Sequence, residues 1–139
     1  MSTKEREKQM LEDFDLLENW EEKYDFLIEL GMDLPEMRPE LKTETNLVKG
    51  CQSSVWFDIR CENKKIVFDA DSDSLIVKGI VAIVDKIFNG QPAEDVLTGD
   101  LKFFEEAGLW QHLSAQRGNG LLAMLAHLKK AATECLAEE

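Results

Sequence analysis

Cysteine is scarce in this chain, and the scarcity limits the chemistry that the chain can support. Only three cysteines occur among 139 residues, at positions 51, 61 and 135. No two of them form a Cys-x-x-Cys pair, and His112 and His127 lie far from Cys51 in sequence, so no local metal-ligand spacing is present. An odd number of cysteines without a secretion signal also argues against a disulfide framework.

Basic residues are also few. The chain has 16 Lys and Arg against 28 Asp and Glu, which gives a net charge of −12. Binding to a nucleic acid backbone relies on basic side chains that neutralise phosphates, so this balance argues against DNA or RNA as a partner. It likewise disfavours an anionic membrane surface. It is compatible with docking on a basic patch of another protein.

Long apolar runs are missing as well. The longest ones, such as Ile80–Val84 and Leu121–Ala126, are far too short to span a bilayer. The first eight residues contain no apolar segment of the signal-peptide type. We therefore expect a cytoplasmic protein without a membrane partner.

The hydrophobic periodicity predicts helices, then a β-hairpin, then more helices. Residues 10–17 and 20–30 show helical spacing, whereas residues 54–71 alternate with period two around a turn at Asn63-Lys64. Residues 75–88 are apolar nearly all round, as is typical of a central helix. Gly79 within this segment predicts the close approach of another backbone.

Further helices are predicted at residues 92–97 and 101–107, and a last helix begins at Ser114 or Asn119 and runs to the C-terminus. No internal repeat or long linker is visible in the sequence. We therefore expect residues 1–139 to form a single domain of the α+β class, with a small antiparallel sheet covered by helices.

Cys51 differs from the other two cysteines in its surroundings. Gly50 precedes it, Gln52 and Ser53 follow it, and a predicted strand begins directly afterwards, so the pattern predicts a loop. A loop suits sulfur chemistry, because a thiolate must reach a partner sulfur without moving a core. Lys49 would favour the thiolate electrostatically. Spacing alone leaves a structural role for Cys51 as an open alternative.

The other two cysteines are predicted to pack. Cys61 is in phase with the apolar face of the first strand, and Cys135 is in phase with Leu128 and Ala132 of the last helix. Buried free cysteines behave as small apolar side chains.

Arg117 is a single planar cation among small residues, in the run from Leu113 to Gly120. A solvated surface arginine is the simplest interpretation. A buried role would need a carboxylate partner, which Asp71 or Asp73 could provide.

An ordered series of motifs carries a family resemblance. The series comprises Trp20–Tyr24, Leu27–Gly31, Leu34-Pro35, Val48–Trp56, Asp71–Asp73, Ile76–Gly79, Leu113-Ser114 and Arg117–Leu121. It resembles the SufE family of sulfur-acceptor proteins, whose relatives include CsdE, and it covers about residues 20–137. The block from Gly50 to Trp56 is the most specific part of the series.

The resemblance implies a fold similar to that of the IscU scaffolds, with Cys51 as the acceptor cysteine and Gly50, Gln52 and Ser53 in its supporting loop. A pyridoxal-phosphate cysteine desulfurase of the SufS or CsdA type would supply persulfide sulfur, and an iron–sulfur scaffold would receive it. The chain itself would need no cofactor. It would act as a sulfur carrier and desulfurase activator, not as an enzyme with its own turnover.

Lys49 is a departure from the family pattern, because proline usually precedes the Gly-Cys pair. A looser loop and a more acidic Cys51 thiol are the expected consequences. We also hypothesise that Arg117, paired with Asp71 or Asp73, fixes a sheltered pose of the loop.

Three alternatives belong to other functional classes. A metal or iron–sulfur scaffold would need several convergent cysteines. A thiol redox enzyme usually has a resolving cysteine near the reactive one. In an interaction module, Cys51 would be incidental.

Overall fold

The computed structural model describes residues 1–50, 53–100, 102–112 and 115–138, with the backbone alone at 115–117. Its helices are α1 (Thr3–Asp15), α2 (Trp20–Asp33), α3 (Leu75–Phe88), α4 (Ala93–Leu97), α5 (Lys102–Glu106), α6 (Leu109–His112) and α7 (Ala115–Ala137). Its strands are β1 (Val55–Glu62), β2 (Lys65–Ser72) and β3 (Gln91–Pro92), and a 3-10 turn lies at Pro39–Leu41. Among these helices, none combines the length and hydrophobicity needed to cross a membrane.

The predicted hairpin is confirmed. β1 and β2 pair antiparallel in a register that runs from Val55 opposite Ser72 to Glu62 opposite Lys65. Asn63 and Lys64 turn the chain with φ values of 53° and 62°, which matches the left-handed turn that hairpins favour. The predicted α+β class, with a small antiparallel sheet and helices, is therefore correct.

β3 extends the sheet beyond the predicted hairpin, in the order β1-β2-β3. Gln91 lies opposite Ile66 and Pro92 opposite Lys65. Two residues that include a proline carry no strand periodicity, so the sequence predicted only a helix there. That helix is α4, which begins directly after the strand at Ala93.

One face of the sheet is covered by helices. Phe57 of β1 and Phe68 of β2 stack with their ring centroids 5.3 Å apart, and both are buried. α3 buries most of its length, as its nearly continuous apolar sequence predicts. Ser74 begins α3 as its N-cap, accepting a hydrogen bond from the Val77 amide at 3.5 Å.

α2 and α3 touch backbone to backbone, as Gly79 predicted. A Cβ atom placed on Gly79 would lie 2.3 Å from the carbonyl oxygen of Leu27, and one placed on Gly31 would lie 3.0 Å from the Gly79 nitrogen. Gly79 has no room for a side chain, because real Cβ atoms do not approach backbone atoms at 2.3 Å, and a side chain at Gly31 would make an unusually tight contact. The two glycines therefore set the separation of the helices.

The last helix begins earlier than one prediction placed it. α7 starts at Ala115 and passes through residue 119, so Asn119 as its first residue is wrong, whereas Ser114 lies outside the described residues. α5 lies within the predicted helix at 101–107, and α6 was not predicted, because its four residues are too few to show helical periodicity.

Cys61 and Cys135 are joined by a disulfide, which corrects the prediction of two free packing cysteines. Their Cα atoms are 5.5 Å apart although they are 74 residues apart in sequence. Cys135 is fully buried, so packing is part of its role. The pairing arises because tertiary packing brings the end of α7 to the end of β1, and no sequence spacing reports such a contact.

Gly79→Ala should destabilise the fold by about 2–3 kcal/mol, because the added methyl group forces α2 and α3 apart. Urea denaturation followed by circular dichroism measures the loss. Gly118→Ala in α7 is the matched control, since its Cβ would make an ordinary contact 3.7 Å from the Trp110 ring. That control should be neutral or stabilising by up to about 1 kcal/mol. Equal losses in both variants would contradict the backbone contact as the cause.

Candidate functional site

The residues on either side of Cys51 are joined to each other by backbone hydrogen bonds. The Val48 amide donates to the Val55 carbonyl at 2.8 Å, and the Phe57 amide donates to the Asn46 carbonyl at 2.9 Å. Leu47 lies opposite Trp56 as an antiparallel bridge. Val48 and Val55 are both buried, so the two ends of segment 49–54 are fixed in the core.

Gly50 has a backbone conformation that favours glycine. Its φ of +96° lies in a region that residues with a Cβ atom resist. A Cβ atom at this position would also contact the Cβ atom of Ala123 in α7 at 3.4 Å, so Gly50 lies against that helix. Cys51 and Gln52 lie outside the described residues, and Ser53 is half-buried.

Asp73 anchors the chain directly after Ser53. One of its carboxylate oxygens, Oδ1, accepts a hydrogen bond from the Ser54 amide at 3.1 Å. The Ser54 carbonyl in turn accepts from the Ser72 hydroxyl at 2.9 Å and from the Asp73 amide at 3.2 Å. Both backbone groups of Ser54 are therefore held by the end of β2.

Asp71 forms a buried ion cluster beside this anchor. Although Asp71 is only 3% exposed, its carboxylate lies 3.1 Å from the Lys42 ammonium and 3.3 Å from the Lys78 ammonium. The Ser72 amide donates to the same carboxylate at 2.8 Å. Burial alone would raise the pKa of Asp71, but the hydrogen bonds from Lys42, Ser72 and Lys78 outweigh it and hold the pKa below its usual value.

The sequence analysis did not predict Lys42 and Lys78 as partners of Asp71. The Lys42 ammonium also lies 5.3 Å from the centre of the Trp56 ring. Lys78 belongs to a motif of the family resemblance, but nothing in its spacing shows that it faces Asp71. Asp71 itself lies in β2.

The predicted pairing of Arg117 falls outside the described side chains. Its backbone lies in the first turn of α7, and Asp71, one of its two predicted partners, pairs with lysines. Asp73 is the other predicted partner.

Lys49 pairs with Glu44 at 3.7 Å, and both side chains are exposed. An exposed pair of this kind is screened by water and salt. The effect of Lys49 on the Cys51 thiol stays a prediction, because Cys51 lies outside the described residues.

The two histidines pack against aromatic rings. His112 stacks on Trp20 with ring centroids 3.5 Å apart. His127 is half-buried, with its ring edge-on to that of Phe57 at a centroid distance of 6.5 Å. Burial, followed by the nearby Lys130 charge, lowers the pKa of His127.

Comparison with known proteins agrees with this architecture. A solved structure described as a hypothetical protein from Thermus thermophilus superposes with a TM-score of 0.80, covering 96% of this chain and 97% of its own. At 24% sequence identity, that likeness concerns the fold alone.

Sequence comparison identifies the family. The model for "SufE: Fe-S metabolism associated domain" matches residues 8–132. An uncharacterised SufE-like protein of Rhizobium meliloti is 42% identical over 129 residues, covering 89% of this chain and 92% of that protein. One from Rhizobium etli is 40% identical over 129 residues, with 89% and 87% coverage. The chain belongs to the SufE family, and its role lies in iron–sulfur metabolism.

Asp71→Asn should destabilise the protein by about 1–3 kcal/mol near neutral pH, because two partly exposed lysines lose a buried anionic partner. The pKa of Asp71 is depressed in the folded state, so its contribution exists above the unfolded-state pKa and disappears as pH falls through the folded value. The stability difference between the wild type and the variant, measured by urea denaturation, should therefore shrink below about pH 4. A difference that does not change with pH would contradict this assignment.

Proposed function

We propose that this protein accepts persulfide sulfur from a cysteine desulfurase on Cys51 and passes it to iron–sulfur cluster assembly. The observation that carries the proposal is the anchoring of segment 49–54. Its ends are closed by the Val48–Val55 hydrogen bond, and Asp73 fixes the Ser54 amide. Family membership supplies the metabolic setting.

The transfer is a thiol exchange. The Cys51 thiolate attacks the outer sulfur of a persulfide on the desulfurase, the sulfur–sulfur bond breaks, and the desulfurase cysteine leaves as a thiolate. Cys51 becomes a persulfide, and no external oxidant or reductant is needed. A second thiolate on the recipient takes the outer sulfur in the same way.

The anchoring suits this reaction for a mechanical reason. An acceptor cysteine must be presented to a sulfur inside another protein, while the rest of its domain keeps its structure. The segment is anchored by Val48 and Val55, which are buried, and by Ser54. Both the amide and the carbonyl of Ser54 are hydrogen-bonded to the end of β2. The core can therefore stay closed while Cys51 engages the partner.

The surroundings of the other cysteines favour this function over two rivals. A metal scaffold needs convergent thiolates, but Cys61 and Cys135 lie at the end of β1 that is far from the segment containing Cys51. A thiol redox enzyme needs a resolving cysteine near Cys51. Cys61 lies at the opposite end of β1 from Val55, about 20 Å away along the strand.

The partner class follows from the same proposal. A desulfurase of the SufS or CsdA type carries the pyridoxal phosphate, and this chain acts on it as acceptor and activator without a cofactor or turnover of its own. The net charge of −12 suits docking on a basic surface of the desulfurase. An iron–sulfur scaffold is the proposed recipient.

Mass spectrometry after incubation with a desulfurase and L-cysteine tests the acceptor role. We expect added sulfur on the peptide that contains Cys51, and none on Cys51→Ser. Cys61→Ala is the control, since it should still load. Absence of added sulfur with SufS-type and CsdA-type desulfurases alike, or sulfur that persists in Cys51→Ser, would reject the proposal.

Asp73→Ala should shorten the lifetime of the Cys51 persulfide or reduce desulfurase stimulation at least several-fold, because it removes the acceptor for the Ser54 amide. Asp73→Asn is the matched control, since its amide oxygen can still accept that hydrogen bond.

Arg117→Ala tests the hypothesis that Arg117 and Asp73 together fix a sheltered pose. If Asp73→Asn behaves like Asp73→Ala while Arg117→Ala is also impaired, the negative charge of Asp73 is what matters. If lifetime and stimulation are unchanged in both Asp73→Ala and Arg117→Ala, neither residue supports the site.

A further inference from the structure

The Cys61–Cys135 pair has no part in the proposed sulfur transfer. It joins the last residues of β1 to the last turns of α7, at the end of the sheet opposite segment 49–54. The two residues come from distant parts of the chain, and their Cα separation of 5.5 Å lies within the range that a disulfide requires.

The two sulfur positions differ in their access to solvent. Cys135 is fully buried, whereas Cys61 is only partly buried. Cys61 also lies between the exposed residues Arg60 and Glu62, on a strand at the edge of the described sheet. A small thiol or disulfide can therefore approach the pair from the Cys61 side, while Cys135 stays inside.

The contact between α7 and the hairpin does not depend on the disulfide. The Lys64 ammonium donates to the Cys135 carbonyl at 3.0 Å and to the Leu136 carbonyl at 3.5 Å, and it also bonds the Glu138 carbonyl. These carbonyls lie in and just after the last turn of α7, where a helix has no further amides four residues along to pair with them. The buried residues Leu128 and Ala132 hold the preceding turns in the core. None of these contacts uses a sulfur atom, so all of them remain available to the reduced protein.

We infer that Cys61 and Cys135 form a reversible redox site, which cycles between dithiol and disulfide through small-molecule disulfides and thiols. In oxidation, the Cys61 thiolate attacks one sulfur of a disulfide such as oxidised glutathione and releases one thiol. The Cys135 thiolate then attacks the Cys61 sulfur and releases the second thiol. Two protein thiols are oxidised, one small disulfide is reduced, and the two protons pass to the released thiols.

The location of Lys64 supports this cycle. Its ammonium lies 3.0 Å from the carbonyl oxygen of Cys135, so a positive charge is adjacent to the residue that must attack as a thiolate and leave as a thiolate. The site is separate from Cys51, and the inference does not rest on the proposed function. It makes the number of free thiols in the folded chain depend on the redox conditions.

The test uses the full chain with Cys51→Ser, so that sulfur loading cannot interfere. The folded protein is equilibrated anaerobically in buffers of reduced and oxidised glutathione, quenched with acid, alkylated and digested for mass spectrometry. We expect a single transition from two alkylated cysteines to none, with a linked peptide that contains Cys61 and Cys135. The melting temperature should rise by roughly 5–15 °C on oxidation.

Cys61→Ala in the same background should lose the linked peptide and the redox dependence of the melting temperature. Lys64→Met should move the transition to a different glutathione ratio while the linked peptide still forms. Complete alkylation of both cysteines in every buffer would overturn the inference. So would a disulfide that stays oxidised in the most reducing buffer, because the site would then be a permanent crosslink. Failure of Cys51 to accept sulfur would leave these outcomes unaffected.

Discussion

The register between β1 and β2 is the constraint on which the described site depends. With Val55 opposite Ser72, the end of β2 lies beside the start of β1, so Asp73 and Ser72 reach the backbone groups of Ser54. A shift of one residue would turn every side chain of the strand to the opposite face. Phe57 and Phe68 prevent that shift, because their stacked rings must both enter the core. Core packing thus sets the backbone geometry at the end of segment 49–54.

The two aspartates at the end of β2 have different tasks because their surroundings differ. Asp71 is buried and neutralised by two lysines, so it ties Lys42 and Lys78 to the sheet. Asp73 instead accepts a backbone hydrogen bond next to the segment that holds Cys51. Two acidic residues that look equivalent in sequence therefore serve as a structural tie and a loop anchor. Neighbouring backbone and charge, more than residue type, decide the role.

Much of the fold could be predicted because local patterns dictate it. The period of two in β1 and β2, the turn at Asn63-Lys64 and the close helix contact at Gly79 all follow from short-range chemistry. The two-residue strand β3 and the short helix α6 carry too few residues to show a period. The Cys61–Cys135 bond and the lysine partners of Asp71 depend on contacts between distant segments, which spacing does not encode. The motif around Cys51 could be recognised from the sequence. The hydrogen bonds of Ser54 with Ser72 and Asp73 could not be predicted, because they join segments that are distant in sequence.

Hydrogen bonds hold both ends of the chain at the same end of the sheet. The Met1 carbonyl accepts a hydrogen bond from Gln91, and the Glu138 carbonyl accepts one from Lys64, so both ends lie near the Asn63-Lys64 turn of the hairpin. Segment 49–54 joins β1 at its other end, about 25 Å away along the strand. A tag or a fused domain at either terminus would thus emerge at the end of the sheet opposite segment 49–54. The chain can be tethered to a surface or to another protein while the end of the sheet beside that segment stays open.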